Sequence, residues 1–407
     1  MNSQHHVPIG YEGREQALIK HLLLKSYLER LLLIIGMGGR RSGRVELCYV
    51  DCFAGPWGDE SDDLANTSIA ISLRTMEKCR RALVGQSVNV TMRALFIERD
   101  DEAFGRLEDF LARPREDAVR AACMHGDFVD LRPQILDWCG RDAFTFFFID
   151  PKGWKDVALP KLVPLLARPR SEFLINFMYD FINRTASMRS MQREIAELLG
   201  VGVDSLKELK ELSPQEREVK LVHDYRSGLK SACGHRTSKE RPRTVHVRVL
   251  DPEKDRAKYH LVYMTAHPKG IVTFMEISEK LEQIQRGVRA AKRFARRQER
   301  SGTADLFSHE SYVEALPATE IDPDEVDAFW LQYLAVPPDR VAVEQMADLL
   351  EDTGWMPGDL QKALKRLIDD GEVQNLDAIK KRTRKPLHYE GQGERLRLLP
   401  LAERSPS

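Results

Sequence analysis

The sequence predicts an α/β protein built on a doubly wound, mostly parallel sheet of Rossmann type. Three observations carry this. From about residue 45 to residue 184, apolar runs of strand length alternate with stretches of helical periodicity. The connections between them are short. The run Phe144 to Ile149 is apolar but for Thr145, as a strand covered on both faces should be.

The elements follow in order. Gln16 to Ile35 reads as a helix, with Leu18, Leu22, Leu23, Leu28 and Leu31 recurring at helical spacing, ended by Gly36-Met37-Gly38-Gly39. A first strand, Val45 to Cys52, stops at Phe53-Ala54-Gly55-Pro56-Trp57-Gly58. A helix is expected around Ser68 to Arg81, a strand over Thr91 to Ile97, a helix from Glu102 to Leu111, and a strand over Ala121 to Met124. Leu131 to Cys139 is again helical, Phe144 to Ile149 is the fourth strand, and Glu172 to Phe177 the fifth. Thr185 to Gly234 reads as a helical segment. Thr244 to Leu250 and Tyr259 to Thr265 are expected to complete the sheet in antiparallel fashion.

A helix from Ile271 through Leu281 continues toward Arg300, and residues 301–324 read as a linker. Helices over Val326 to Tyr333, Val343 to Leu350 and Asp359 to Ile368 precede two short strands, Glu372 to Leu376 and Arg395 to Leu399. Three helices and a hairpin make the winged-helix pattern. The expected domains are a helical lead (1–44), a Rossmann-like domain (45–285) with a helical insertion (185–240), a basic helix and linker (286–324), and a winged-helix-like domain (325–400).

The chain has 407 residues, 42% hydrophobic and 31% charged, enough to bury a core in two or three domains. No run of about 18 apolar residues exists, so no membrane span is expected. The N-terminus lacks the basic-then-apolar pattern of a signal peptide, and a cytoplasmic location is expected. The six cysteines form no CxxC pair, and no metal site is expected.

In doubly wound sheets, ligands bind beyond the carboxyl ends of the strands. Asp51, Glu98, Asp127 and Asp150 each close or nearly close a strand there. The first turn, Phe53-Ala54-Gly55-Pro56, has a glycine that lets backbone approach a ligand closely. Asp51 can orient an amino group, Glu98 can accept from a ribose diol, and Asp127 stands where an adenine would lie. This set fits S-adenosylmethionine. The full dinucleotide fingerprint is absent. Helix N-caps or turn formers at sheet edges are the competing reading of the three acids.

Asp150-Pro151-Lys152-Gly153-Trp154 occupies the place of the Asp/Asn-Pro-Pro-aromatic loop of amino-methyltransferases. There, an acid accepts from the target amine and an aromatic ring stacks on an extruded base. Asp150, Pro151 and Trp154 are the catalytic candidates, with Trp154 as a core residue the competing reading. Lys152 places a cation where that motif has none and can contact phosphate. Asn176, Tyr179 and Arg184 follow the fifth strand at the same edge and are candidate substrate contacts.

At these residues the chain resembles the three-Cys-motif partner protein (TcmP) family. The matching pieces are Tyr49 to Pro56, Phe148 to Trp154, Glu172 to Phe177 and Tyr259 to Thr265. The resemblance implies a class I, S-adenosylmethionine-dependent methyltransferase-like fold. It also implies a partner, a three-cysteine-motif protein that looks like a radical-type enzyme.

Net charge is −1, so whole-chain charge does not point to nucleic acid. Local charge does. Arg286, Arg289, Lys292, Arg293, Arg296, Arg297 and Arg300 form a basic stripe, and Lys380, Lys381, Arg382, Arg384 and Lys385 form a second cluster where a wing would lie. DNA or RNA is therefore an expected partner, with a solvated helix face the competing reading of the stripe and a protein-docking winged helix that of the C-terminal domain.

Overall fold

The computed structural model describes the chain except residues 1–10, 12–13, 42, 56–63, 114–117, 187, 234–240, 253, 302–320, 337, 381, 383 and 401–407. The chain divides into two units, Met1–Ala266 and His267–Ser407. The division falls earlier than the expected boundary at 285, because the helix from Pro268 packs with the later helices. The expected lead, 1–44, belongs to the first unit rather than preceding it.

The first unit is organised by one seven-stranded sheet. Its strands are β1 (Val45–Asp51), β2 (Val90–Glu98), β3 (Arg120–His125), β4 (Phe144–Ile149), β5 (Ser171–Phe177), β6 (Arg243–Leu250) and β7 (Ala257–Thr265). Their order is β3-β2-β1-β4-β5-β7-β6. The first five run parallel, whereas β7 is antiparallel to both β5 and β6. The chain leaves β1 to build β2 and β3 on one side, then returns to place β4 on the other. The carboxyl ends of β1 and β4 therefore flank the topological switch point, where such sheets open a crevice.

The helices are α1 (Glu15–Gly38), α2 (Ser68–Gly85), α3 (Asp101–Ala112), α4 (Phe128–Cys139), α5 (Leu159–Leu166), α6 (Tyr179–Thr185), α7 (Gln192–Leu199) and α8 (Pro214–Ala232). Caps fix several starts: Thr67 accepts from the Ala70 amide, Asp100 from Ala103, and Ser213 forms a capping box with Glu216. Every residue of β5 is buried, as are Phe146, Phe147, Phe148 and Ile149 on β4. This is why β4 reads as a nearly continuous apolar run, whereas β5 carries Ser171, Glu172 and Asn176 within its buried length.

One buried carboxylate interrupts that core. Glu172 on β5 accepts from the Tyr27 hydroxyl of α1 at 2.8 Å and from Thr265 Oγ1 of β7 at 2.8 Å. Tyr27 and Tyr263 share a further hydroxyl–hydroxyl bond. Burial pushes the Glu172 carboxyl above its usual range. The network binds α1 to the sheet.

The second unit holds α9 (Pro268–Ser301), α10 (Pro323–Ala335), α11 (Val343–Thr353) and α12 (Pro357–Asp369), followed by the antiparallel pair β8 (Val373–Asn375) and β9 (Leu396–Leu398). Val341 makes an isolated bridge to Glu394. Gly393 has φ +71°, and a Cβ there would lie 2.5 Å from the Val341 carbonyl oxygen, so this bridge needs glycine. Trp330 is fully buried, and its indole donates to the Leu360 carbonyl at 3.0 Å. On α9, Arg289 is only 3% exposed, so it does not join an exposed basic stripe. The expected linker lies almost wholly outside the described residues. No described helix is long and apolar enough to cross a membrane.

Candidate site at the carboxyl edge of the sheet

The parallel strands bring Asp51, Glu98 and Asp150 to one edge. Asp51 ends β1 and is fully buried. Its Oδ2 accepts from the Ser68 hydroxyl at 2.6 Å and the Tyr49 hydroxyl at 3.3 Å, and its Oδ1 from the Phe53 amide at 3.2 Å. All three donors are neutral. Burial raises the carboxyl to about 7, the hydrogen bonds oppose the rise, and the nearby Asp150 charge adds to it. A buried carboxylate held only by neutral donors is an electrostatic seat for a cation.

The turn after Asp51 is pinned by backbone bonds. The Cys52 amide donates to the Phe148 carbonyl at 3.0 Å and the Ala54 amide to the Ile97 carbonyl at 2.8 Å. Phe53 packs on Phe128 with ring centroids 5.3 Å apart. Ala54 and Gly55 are buried. Pro56, expected to close this turn, lies outside the described residues.

Glu98 ends β2 and is buried. Its Oε1 accepts from the Arg99 and Asp100 amides at 2.8 and 2.7 Å, which aims the carboxylate from the strand end. Asp127 behaves as the N-cap of α4, accepting from the Val129 amide at 2.8 Å, with Arg99 Nη1 at 3.4 Å from its other oxygen. The capping role expected as the alternative is thus what the Asp127 side chain does.

Asp150 stands just past β4 and is engaged on both oxygens. Asn176 Nδ2 donates to Oδ1 at 2.7 Å, and the Lys20 ammonium of α1 pairs with Oδ2. The two ion-pair side chains are 16% and 17% exposed. Nothing in the sequence marks Lys20 or Ser68 as a site residue. Lys20 lies 130 positions from its partner, and Ser68 sits in the first turn of a helix, where a polar residue is ordinary.

One expected catalytic residue and one expected substrate contact are not on the open edge. Trp154 is 3% exposed and packs near Phe181 at 6.2 Å between centroids. Its ring belongs to the hydrophobic core, not to a stacking platform, and Pro151 is buried as well. Tyr179 is buried edge-on to His260 at 5.5 Å, and burial pushes its hydroxyl up to about 12. Arg184 is exposed and paired with Asp180 one turn back at 3.5 Å. Lys152 and Gly153 are exposed. Among the described residues no cluster of His, Cys, Asp or Glu could hold a metal ion.

No family model matches the chain, and no curated protein matches it. Its likenesses to solved structures are remote. A Legionella pneumophila protein of the DUF519 family is 10% identical with a TM-score of 0.36, over 67% of this chain and 92% of that one. Loganic acid methyltransferase with SAH is 9% identical with a TM-score of 0.29, over 71% and 90%. An Aeropyrum pernix ORC2 protein is 13% identical with a TM-score of 0.18, over 91% and 89%. At such scores none of them decides a function.

Proposed function

We propose that the first unit binds S-adenosylmethionine and that the protein is a methyltransferase acting on nucleic acid, with a base amine as its target. The observation that carries this reading is Asp51, a fully buried carboxylate at the switch point of the sheet with only neutral donors among the described residues. The strand order supports it, since a 3-2-1-4-5-7-6 sheet with a reversed seventh strand is the class I methyltransferase arrangement. The chain's own residues fit the cofactor. Asp51 would hold its ammonium, Phe53, Ala54 and Gly55 would line its amino-acid end, and Glu98 would accept from its ribose hydroxyls. When bound, the cofactor supplies an electrophilic methyl group. Asp150 and Asn176 would orient the amine beside it, and orientation contributes most of what such a transfer needs.

Calorimetry with S-adenosylhomocysteine tests the cofactor half. Micromolar binding that Asp51→Asn abolishes is expected, and no binding by the native chain at millimolar ligand would sink the reading. A labelled-methyl assay over RNA, DNA and protein tests the substrate half, with Asp150→Ala expected to stop transfer and spare cofactor binding.

A second reading has its own support. Lys20 already occupies Asp150, and Trp154 is buried rather than offered for stacking. Both favour a non-catalytic, methyltransferase-like partner that docks a three-cysteine-motif protein of radical type, in line with the TcmP resemblance. Cofactor affinity without transfer to any substrate would favour it. In either reading the second unit, read as a winged helix, docks nucleic acid or protein, and the protein acts in the cytoplasm.

A further inference from the structure

The three cations on α12 are each answered by a carboxylate of the same unit. Lys362 pairs with Asp359 at 3.7 Å, Lys365 with Asp369, and Arg366 binds Asp327 through two nitrogens at 2.7 and 2.9 Å. A helix so neutralised offers little to a polyanion. The loop between β8 and β9 differs. Lys380, Arg384 and Lys385 are exposed and make no ion pair among the described residues. Between them and β8 stands Ile379, 97% exposed, with Leu376 at 42%.

The base of this loop is braced. Arg382 binds both oxygens of Glu394 at 2.7 and 2.6 Å, Asn375 donates to the Pro386 carbonyl at 2.8 Å, and Asp377 pairs with Arg395 at 2.7 Å and Arg340 at 3.2 Å. Ile379 therefore projects from a fixed frame. A cavity of about 420 Å³ opens between the loop and α12, lined by Lys380, Arg382 and Arg397 and by the paired Lys365 and Asp369.

We propose that this loop, rather than α12, forms the protein's contact with a nucleic-acid duplex. Backbone phosphates lie over the cations, and Ile379 enters a groove as an apolar wedge against a base step. The proposal rests on the nucleic-acid reading above and names its surface. Cations neutralise phosphates and release counterions, and single apolar side chains are the wedges used between base steps. A lone isoleucine is a poor anchor for a lipid surface, since burying one such side chain yields only about 1.5–3 kcal/mol.

The test uses the full chain and a labelled duplex of about 25 base pairs, its single strand, and vesicles of anionic lipid, titrated at several salt concentrations. The triple variant Lys380→Gln/Arg384→Gln/Lys385→Gln is expected to bind the duplex at least tenfold more weakly. Its salt slope should flatten by about 3, near one unit per lost phosphate contact. Ile379→Ser is expected to weaken duplex binding several-fold with the slope unchanged and single-strand binding unaffected. Duplex binding by the triple variant equal to the native chain would overturn the proposal, as would binding confined to vesicles or no duplex binding at all. Melting curves guard against misfolding, and S-adenosylhomocysteine affinity in the same variants is expected to be unchanged. A native chain that binds duplex but no cofactor would sink the methyltransferase reading and leave this surface standing.

Discussion

Two neighbouring strand ends carry the same residue in opposite surroundings. Asp51 at the end of β1 is sealed from solvent among two hydroxyls and one amide. Asp150, just past β4, is partly open and held by an ammonium and a carboxamide. The first has only neutral donors among the described residues, and the second is paired with a cation. Position on a sheet edge thus does not fix what an acid does there. The partners brought by distant helices decide it.

The comparison can be broken most severely at Asp51. Asp51→Asn is expected to weaken S-adenosylhomocysteine binding by at least a hundredfold in calorimetry, yet to stabilise the free protein at alkaline pH. The folded carboxyl titrates at about 7, above its ordinary 3.8, so its favourable contribution is complete below about pH 4 and lost as pH rises through 7. The asparagine variant, neutral throughout, should match the native melting temperature near pH 4 and exceed it at pH 8. The rise from 3.8 to about 7 bounds the gain at roughly 4 kcal/mol, and an equal gain at both pH values would refute the account.

Asp150→Ala should do the reverse. Cofactor binding should persist, while the Lys20 ammonium, 16% exposed, loses its partner. A loss of roughly 1–3 kcal/mol in denaturant unfolding is expected. Lys20→Met leaves the carboxylate bonded to Asn176, so a smaller loss of about 1 kcal/mol is expected. The double variant should then cost less than the two single losses added, and simple additivity would show that the pair is not coupled. Ser68→Ala, removing one short bond to Asp51, should cost about 1 kcal/mol at pH 8 and less at pH 4, read from the same melts.

Much of the sheet was legible in the sequence. Phe144 to Ile149 reads as a buried strand and is β4, and the acids expected at strand ends stand at one edge. Helix α5 is hard to read from sequence, because Pro160 and Pro164 obscure its short apolar pattern. Trp154 reads either as a stacking aromatic or as a core residue, because a turn gives no periodicity from which to tell inward from outward. Lys20 is invisible as a site residue for a different reason. On α1 it is one polar position among many, and only tertiary packing carries it to Asp150.

The buried cluster of Glu172, Tyr27, Tyr263 and Thr265 governs more than the attachment of α1. Tyr27 and Lys20 are seven positions apart, close to two full helical turns, so the anchor and the ammonium face nearly the same way. One residue inserted between them would rotate Lys20 by about 100° relative to Tyr27 and part it from Asp150, with every side chain intact. The spacing itself is thus a component of the site, vulnerable to a change in length where it would tolerate many changes in composition.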